Sequence, residues 1–177
     1  MKKAIFALVP LAILAVIFGT IYVVVQQAQR SGANYPQIQI AEDTAAALDQ
    51  GNEPYGVITS GKVDLSKSLA PFTIIYDKTG HVVAGSGFLN NKIPSIPVGV
   101  LTAAKNQQYN AVTWQPQKDV RIASVAVSAK DYYVVSGRSL YEVEKQESLT
   151  LRLAALGLLV SLVVLGVGYI CSLGRKS

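Results

Sequence analysis

The chain has 177 residues, half of them apolar, and a formal net charge of +5 at pH 7. Its mean hydropathy of +0.33 is high for a soluble protein, and the apolar residues are concentrated in two blocks near the ends. Between the blocks, eleven acidic residues offset twelve of the sixteen basic ones. The excess positive charge therefore belongs to the chain ends and gives no indication of nucleic-acid binding.

The first block, residues 4–25, contains no charged residue. About 20 apolar residues cross a hydrocarbon core roughly 30 Å thick, so the block predicts a transmembrane helix. A secretory signal peptide is the alternative, because Lys2 and Lys3 precede the block. Signal peptides have an apolar region of about 7–15 residues before a small-residue cleavage site. This block is longer and continues into bulky valines, which favours an uncleaved anchor.

Residues 26–152 are expected to form one domain on the outer side of the membrane. Arg30–Asn34 predicts a polar break, and Pro36 suits the first position of a new helix. Continuity of this helix with the first span stays open, because Gly32 weakens the join without forbidding it. Apolar residues then recur at spacings of three and four as far as Leu48, and Gly51 predicts the end of that helix.

The remaining elements of this domain are predicted mainly from alternating and β-branched residues. Strands at Phe72–Tyr76 and His81–Ser86 flank Asp77-Lys78-Thr79-Gly80, which is typical of a hairpin turn. Asn52–Ser68 is interpreted as a loop, with a short strand at Tyr55–Thr59 as an option within it. A short helix is expected at 98–104. Further strands are predicted at 109–115, 120–129 and 132–137.

Ser139 and Glu142 have the spacing of a capping box, and the predicted helix runs into a second span at 153–173. Lysines and arginines stand without acidic residues at both ends of the chain. The positive-inside rule therefore places the tips, residues 1–3 and 174–177, in the cytoplasm. A two-span protein of a bacterial cell membrane, held in the lipid bilayer, is expected. The only cysteine, Cys171, can form no intramolecular disulfide.

The order helix, two strands, short helix, three strands resembles the PAS-like, single-Cache extracytoplasmic domains of bacterial sensor histidine kinases and chemoreceptors. The segments that carry the resemblance are FTIIYDKTGHVVAGSG and VRIASVAVSAKDYYVVSGRSLYEVEKQE. The resemblance implies an α+β fold, with an antiparallel sheet of about five strands and helices on one face. It also implies a pocket under the loops between the second and third strands. The chain departs from this family after the second span, where about four residues stand in place of a cytoplasmic output region.

The sequence offers little chemistry for catalysis. Paired carboxylates, Ser/His/Asp and Cys/His arrangements are lacking at usable spacing, and the only histidine, His81, follows Gly80 in a predicted turn. A metal site there would need ligands from elsewhere. We therefore expect no enzyme activity, no metal and no cofactor.

By the resemblance, a ligand pocket would be lined by residues 88–105 and by the inner faces of the third and fourth strands. Tyr109, Trp114 and Arg121 are the candidate ligand contacts, because an aromatic wall with a cation suits a small anion such as a carboxylate. The alternative is that Tyr109 and Trp114 are core or edge-strand residues and that Arg121 faces solvent.

The leading hypothesis is a membrane-anchored sensory or ligand-binding module that signals through a partner membrane protein or as a homodimer. The alternative is an accessory or scaffolding subunit that binds no ligand, and a third reading is a degenerate receptor without a present role. In the second span, Gly157, Ser161, Gly166 and Gly168 permit close helix approach and suggest a seam for a partner helix.

Overall fold

The structure is a computed structural model that describes the backbone of residues 2–174 and the side chains of residues 9–171. Met1 and residues 175–177 lie outside the described residues, as do the side chains of Lys2 and Lys3 on which the predicted orientation depends. In chain order the elements are α1 (Lys2–Asp49), β1 (Val63–Asp64), β2 (Phe72–Asp77), β3 (Val82–Gly85), β4 (Gly87–Phe88), α2 (Val98–Lys105), β5 (Asn110–Gln117), β6 (Val120–Ser128), β7 (Tyr132–Ser139) and α3 (Tyr141–Gly174). They divide into a helical unit, drawn from the two ends of the chain, and a central unit, Arg30–Val143.

The helical unit contains two helices that are long and apolar enough to cross a membrane, within Val9–Asp49 and Tyr141–Cys171. Their length and composition are compatible with a two-span membrane protein. Inside this unit the ring of Phe18 lies against Gly157, where an added Cβ would stand 2.6 Å from Phe18 Cε1. The small residue at 157 therefore accommodates the chain's own first span, at the position where we expected a partner helix.

Helix α1 continues through Arg30–Asn34, so the predicted break is wrong, and of the two alternatives left open the continuous helix is the one observed. Pro36 lies inside the helix, although it has no amide hydrogen to donate to the carbonyl four residues earlier. Ala33 and Gln37 are almost completely buried, at 3% and 1% exposed, and Gln37 Oε1 accepts a hydrogen bond of 2.9 Å from Ser136 Oγ. Packing in the central unit thus outweighs the local preference for a break.

The main sheet has five strands in the order β3-β2-β7-β6-β5, and all neighbours are antiparallel. The predicted β2–β3 hairpin is confirmed, with Gly80 at a φ of 90° in its turn. The strands predicted at 109–115, 120–129 and 132–137 correspond to β5, β6 and β7. The optional strand at Tyr55–Thr59 does not form, since residues 54–57 are a turn and residues 58–59 have no regular structure. Strand β1 pairs with β4 in a separate two-stranded parallel ribbon.

The expectation of helices on one face of the sheet is wrong, because helices cover both faces. One face packs against α1 and is called the α1 face; its core includes Ala41, Ala45, Leu48, Ile75, Val125, Val127 and Val134. The opposite face packs against α2 and is called the α2 face; its core includes Phe72, Ile74, Tyr76, Ile96, Leu101, Trp114, Ile122 and Val135. Because side chains alternate along a strand, the large residues at the even-numbered positions of β2 and β6 point away from α1. They must be buried by another element. The short helix α2 buries them with Leu101 and Ala104.

Candidate functional site

The three sequence-predicted ligand contacts do not come together in the structure. Trp114 pairs across the sheet with Ile122, and both side chains belong to the α2 face. Arg121 precedes Ile122 on the same strand, so it lies on the α1 face. The sheet itself therefore separates Trp114 from Arg121. Tyr109 stands one residue before β5 and is 37% exposed.

The space where the resemblance places a pocket is occupied by core side chains. Trp114 is 7% exposed and packs in one cluster with Tyr76, Ile96 and Leu101. The hydroxyl of Tyr76 donates to the carbonyl of Pro94 at 3.0 Å, and burial raises the pKa of Tyr76. Trp114 thus packs as a core residue, and its role as a ligand contact, like those of Tyr109 and Arg121, stays a prediction.

A polar cleft opens beside the β1–β4 ribbon and is called the ribbon cleft. Its volume is about 560 Å³, which falls in the range of small-molecule sites. It is lined by Lys62, Val63, Asp64, Ser66, Lys67, Phe88, Asn90 and Asn91. Two lysines face one carboxylate here, so the lining carries an excess of positive charge.

Backbone hydrogen bonds fix the wall of the ribbon cleft to the main sheet. The amide of Val63 donates to the carbonyl of Ser86 at 2.7 Å, and the amide of Leu65 donates to the carbonyl of Phe88 at 2.8 Å. Ser86 in turn bonds β2, because its hydroxyl accepts the amide of Thr73 and its own amide donates to the Thr73 carbonyl. The short ribbon is therefore held in place although each strand has only two residues.

A tight turn at Asn90 and Asn91 forms the far end of the cleft. Both residues have positive φ, 51° and 62°, and the backbones of Leu89 and Lys92 exchange hydrogen bonds of 2.8 and 3.0 Å. This geometry is a type I′ turn, which Asn tolerates far better than other residues with a side chain. The side chain of Asn90 donates to Gln117 Oε1 at 3.1 Å, which connects the turn to the end of β5.

Asp64 is satisfied within the cleft wall. Its Oδ1 accepts hydrogen bonds from the hydroxyl and the amide of Ser66, at 2.6 and 3.0 Å, and Lys67 Nζ lies 3.8 Å from Oδ2. The hydroxyl of Ser66 contributes most to lowering the pKa of Asp64, so this carboxylate is ionised at neutral pH. The ammonium of Lys62 stands 5.2 Å from the ring centroid of Phe88, within the range of a cation–π contact.

A second polar cluster lies in the turn between β2 and β3. Asp77 Oδ1 accepts hydrogen bonds from the hydroxyl and amide of Thr79 and from the amide of His81. His81 Nδ1 is 2.7 Å from Thr79 Oγ1 and 3.6 Å from Asp77 Oδ2. Among the described side chains, no three His, Cys, Asp or Glu residues are grouped closely enough to hold a metal ion. The cluster serves to close the hairpin turn.

The helical unit contains a cavity of about 480 Å³ with an apolar lining. Pro10 and Leu11 line it from the first span, and Leu165, Gly166 and Gly168 are among the residues from the second. Two of the four small residues that suggested a partner seam therefore face a space between the chain's own helices.

No family model, no curated protein and no solved structure matches this chain. Functional assignment therefore rests on the ribbon cleft and on the packing around it. The sequence did not predict this cleft, because its lining residues come from two segments more than twenty positions apart. The Asn90-Asn91 pair was the one local signal, because consecutive asparagines favour a tight turn with positive φ.

Proposed function

We propose that this protein is a membrane-anchored extracytoplasmic sensory module that binds a small anionic ligand and acts through a partner membrane protein. The observation that carries the proposal is the ribbon cleft, in which Lys62 and Lys67 outnumber Asp64. The antiparallel five-stranded sheet and the two apolar helices support the resemblance to membrane-bound sensor domains. The ligand class follows from the charge of the cleft rather than from the aromatic wall expected earlier.

An anion suits the cleft because the one carboxylate in its lining is already satisfied. Ser66 and Lys67 hold Asp64, so Asp64 offers little to a cationic ligand. Lysine ammonium groups and asparagine amides are ordinary donors to carboxylate, phosphate and sulfate oxygens. A ligand with such a group would contact Lys62 and Lys67 and replace water in a space of about 560 Å³.

Phe72 provides a route from the cleft to the strand that precedes the second span. Its ring packs between Gly87 and Gly137, where added Cβ atoms would lie 2.6 and 2.7 Å from ring carbons. Gly87 adjoins Phe88 of the cleft wall, and Gly137 lies in β7, shortly before α3 begins at Tyr141. A ligand that displaces β4 would therefore press Phe72 against β7. Densely packed neighbours pass on such a shift because they cannot absorb it.

An accessory subunit that binds no ligand is the second candidate. It is favoured by the core of the α2 face, where Tyr76, Leu101 and Trp114 fill the space under α2. In that case the domain serves as a rigid surface for another membrane protein, and the ribbon cleft holds water only.

The test is a thermal-shift screen of the full chain in detergent against small carboxylates, phosphate and sulfate. A ligand at 100 times its Kd adds about 2.7 kcal/mol, which raises the midpoint by about 5–10 °C for a chain of this size. The Lys62→Ala/Lys67→Ala double variant should lose the shift. The Lys118→Ala/Lys130→Ala double variant, with the same charge change outside the cleft, should keep it. A folded protein that responds to none of these anions would support the accessory subunit.

A further inference from the structure

Helices α1 and α3, which continue into the apolar segments, both leave the central unit at one end of the main sheet. Strand β7 leads into α3 at this end, which is called the α3 end. Ala33 of α1 packs there with Ala123 and Leu140. Because neighbouring strands are antiparallel, the α3 end also contains the β5–β6 turn and the start of β2. The ribbon cleft lies at the same end, since Asn90 bonds Gln117 at the end of β5.

Charge is distributed unevenly over the central unit. Residues 30–143 have ten basic and nine acidic side chains, so the unit as a whole is almost neutral. Seven of the basic side chains lie at the α3 end, namely Arg30, Lys62, Lys67, Lys92, Lys118, Arg121 and Arg138. The acidic side chains there are Asp64, Asp119 and Glu142. The α3 end therefore has a net charge of +4, and the rest of the unit has a net charge of −3.

The α3 end combines exposed cations with exposed apolar groups. All four of its lysines are exposed. Leu69, in the loop that leads to β2, is 39% exposed, and Tyr141, the first residue of α3, is 64% exposed. Lysine beside exposed leucine and tyrosine is typical of surfaces that meet the lipid headgroup region, where polar and apolar parts of a side chain both find a suitable environment.

Helix length limits how far the α3 end can lie from lipid when the first apolar block spans a bilayer. Ala33 follows Val25, the last residue of that block, by eight residues of one helix, which rise about 12 Å. The headgroup region on each side of the hydrocarbon core is about 5–7 Å thick. The remaining gap of a few ångströms is too narrow for a folded domain of about 30 Å. Residues 144–152 contain two acidic and two basic side chains, so they do not offset the positive charge.

We propose that the α3 end binds the headgroups of anionic phospholipids. Lysine ammonium groups donate to phosphate oxygens, and a cationic surface is attracted to an anionic bilayer within about one Debye length, roughly 8–10 Å. The net charge, the exposed apolar side chains and the short connection to the first span all favour a lipid surface over a protein partner at this end. The proposal rests on the membrane anchoring in the proposed function, but it does not depend on a soluble ligand in the ribbon cleft.

Quenching of a fluorophore by lipid headgroups measures this contact in the full chain. Bimane, an apolar label, is attached at Leu69→Cys in a Cys171→Ser background that removes the only native thiol. The chain is inserted into nanodiscs of phosphatidylcholine, with or without phosphatidylglycerol, and both contain the same share of a lipid with a spin-labelled headgroup. We expect stronger quenching with phosphatidylglycerol, and loss of this difference at about 1 M salt, where charges are screened within about 3 Å. Bimane at Gln107→Cys, between α2 and β5 at the opposite end, should show no difference.

Two matched double variants test the lysines of the α3 end. Lys92→Gln/Lys118→Gln should remove most of the quenching that depends on phosphatidylglycerol, and neither residue lines the ribbon cleft. Lys105→Gln/Lys130→Gln removes the same charge from exposed positions at the opposite end and should leave this quenching unchanged. Equal quenching in the two kinds of nanodisc would overturn the proposal, as would equal effects of the two double variants.

Inorganic phosphate distinguishes the lipid contact from anion binding in the ribbon cleft. Added at constant ionic strength, phosphate should leave the lipid-dependent quenching unchanged; if phosphate abolishes it, the cleft holds the anion and the lipid contact is wrong. A chain that shows no thermal shift with soluble anions but keeps the lipid-dependent quenching would lose only its proposed soluble ligand. A chain that does not insert into nanodiscs would overturn the membrane anchoring and the lipid contact together.

Discussion

Gly137 lies so close to the ring of Phe72 that a Cβ at this position would stand 2.7 Å from Cζ, with the carbonyl oxygen of Ala123 only 3.0 Å away on another side. No side chain fits there without movement of β2 or β6. The absence of a Cβ at Gly137 of β7 is thus what allows the ring of Phe72 to fill this part of the core.

Replacing Gly137 by alanine should therefore destabilise the central unit. We expect a loss of about 1–3 kcal/mol, the usual cost of forcing an extra carbon into a packed core. Calorimetry of the full chain in detergent measures it. Gly61→Ala is the control, since a Cβ at Gly61 meets nothing within 4 Å. The double variant with Phe72→Leu should recover part of the loss, and strict additivity of the two changes would contradict the proposed contact.

Lys78 should be a stabilising cation of the central unit. Its ammonium donates to Ser128 Oγ and to the carbonyls of Ala129 and Tyr132, and it stands 4.2 Å from the ring centroid of Tyr133. Partial burial lowers the pKa of Lys78, yet these bonds hold the β6–β7 turn closed. Lys78→Met should lower the free energy of unfolding by about 1–3 kcal/mol.

The control for Lys78→Met is Lys130→Met in the β6–β7 turn. Lys130 donates its backbone amide to Asp49, and its side chain is exposed. Chemical denaturation should show a change within about 0.5 kcal/mol for the control. Equal effects of the two substitutions would mean that the Lys78 bonds add nothing to stability.

The turn between β2 and β3 should respond to acid. The hydroxyl of Thr79 and then the amide of His81 hold the pKa of Asp77 below its ordinary value of 3.8. Such a carboxylate stabilises the fold above its unfolded pKa, and the contribution is lost as the pH falls through the folded pKa. The native chain should therefore exceed Asp77→Asn in stability near neutral pH, and the difference should shrink below about pH 4.

Midpoints of unfolding measured across this pH range test the assignment. Asp119→Asn removes the same charge from the β5–β6 turn, where asparagine also suits the positive φ of 64°. If the difference in stability between the native chain and Asp77→Asn does not change with pH, an ionised Asp77 is not the source of that difference.

Alanine substitutions at two glycines of the second span should differ in their effect on the stability of the helical unit. Gly157→Ala should clash with Phe18 and destabilise the helix pair by about 1–3 kcal/mol. Gly166→Ala should have little effect, because a Cβ at Gly166 meets nothing within 4 Å. Unfolding of the full chain in detergent provides the comparison. If the two variants behave alike, Phe18 and Gly157 are not in contact in the membrane-embedded chain.

Much of the central unit could be predicted from the sequence because its signals are local. The β2–β3 hairpin follows from two β-branched segments around Asp77 and Gly80, and α2 follows from residues next to Pro97. The continuity of α1 could not be predicted in this way. Ala33 and Gln37 are held in the helix by burial in the central unit, and no local pattern reveals such contacts.

The candidate site depended even more on long-range geometry. Whether Trp114 and Arg121 share a face is decided by the register of β5 with β6, which sets Trp114 opposite Ile122. A shift of one residue would have reversed the outcome. The ribbon cleft depends on two strands of two residues each, which are too short to produce an alternating pattern.

Trp114 is the only tryptophan of the chain and is buried in the core of the α2 face, at 7% exposed. Its intrinsic fluorescence is therefore a built-in reporter for one core alone. Fluorescence excited selectively at Trp114 reports the loss of packing around α2. It does so even when the detergent and the two long helices dominate other optical signals. Exposure of the indole to water shifts its emission to longer wavelength, so unfolding of the central unit can be recorded in the intact membrane protein without a label.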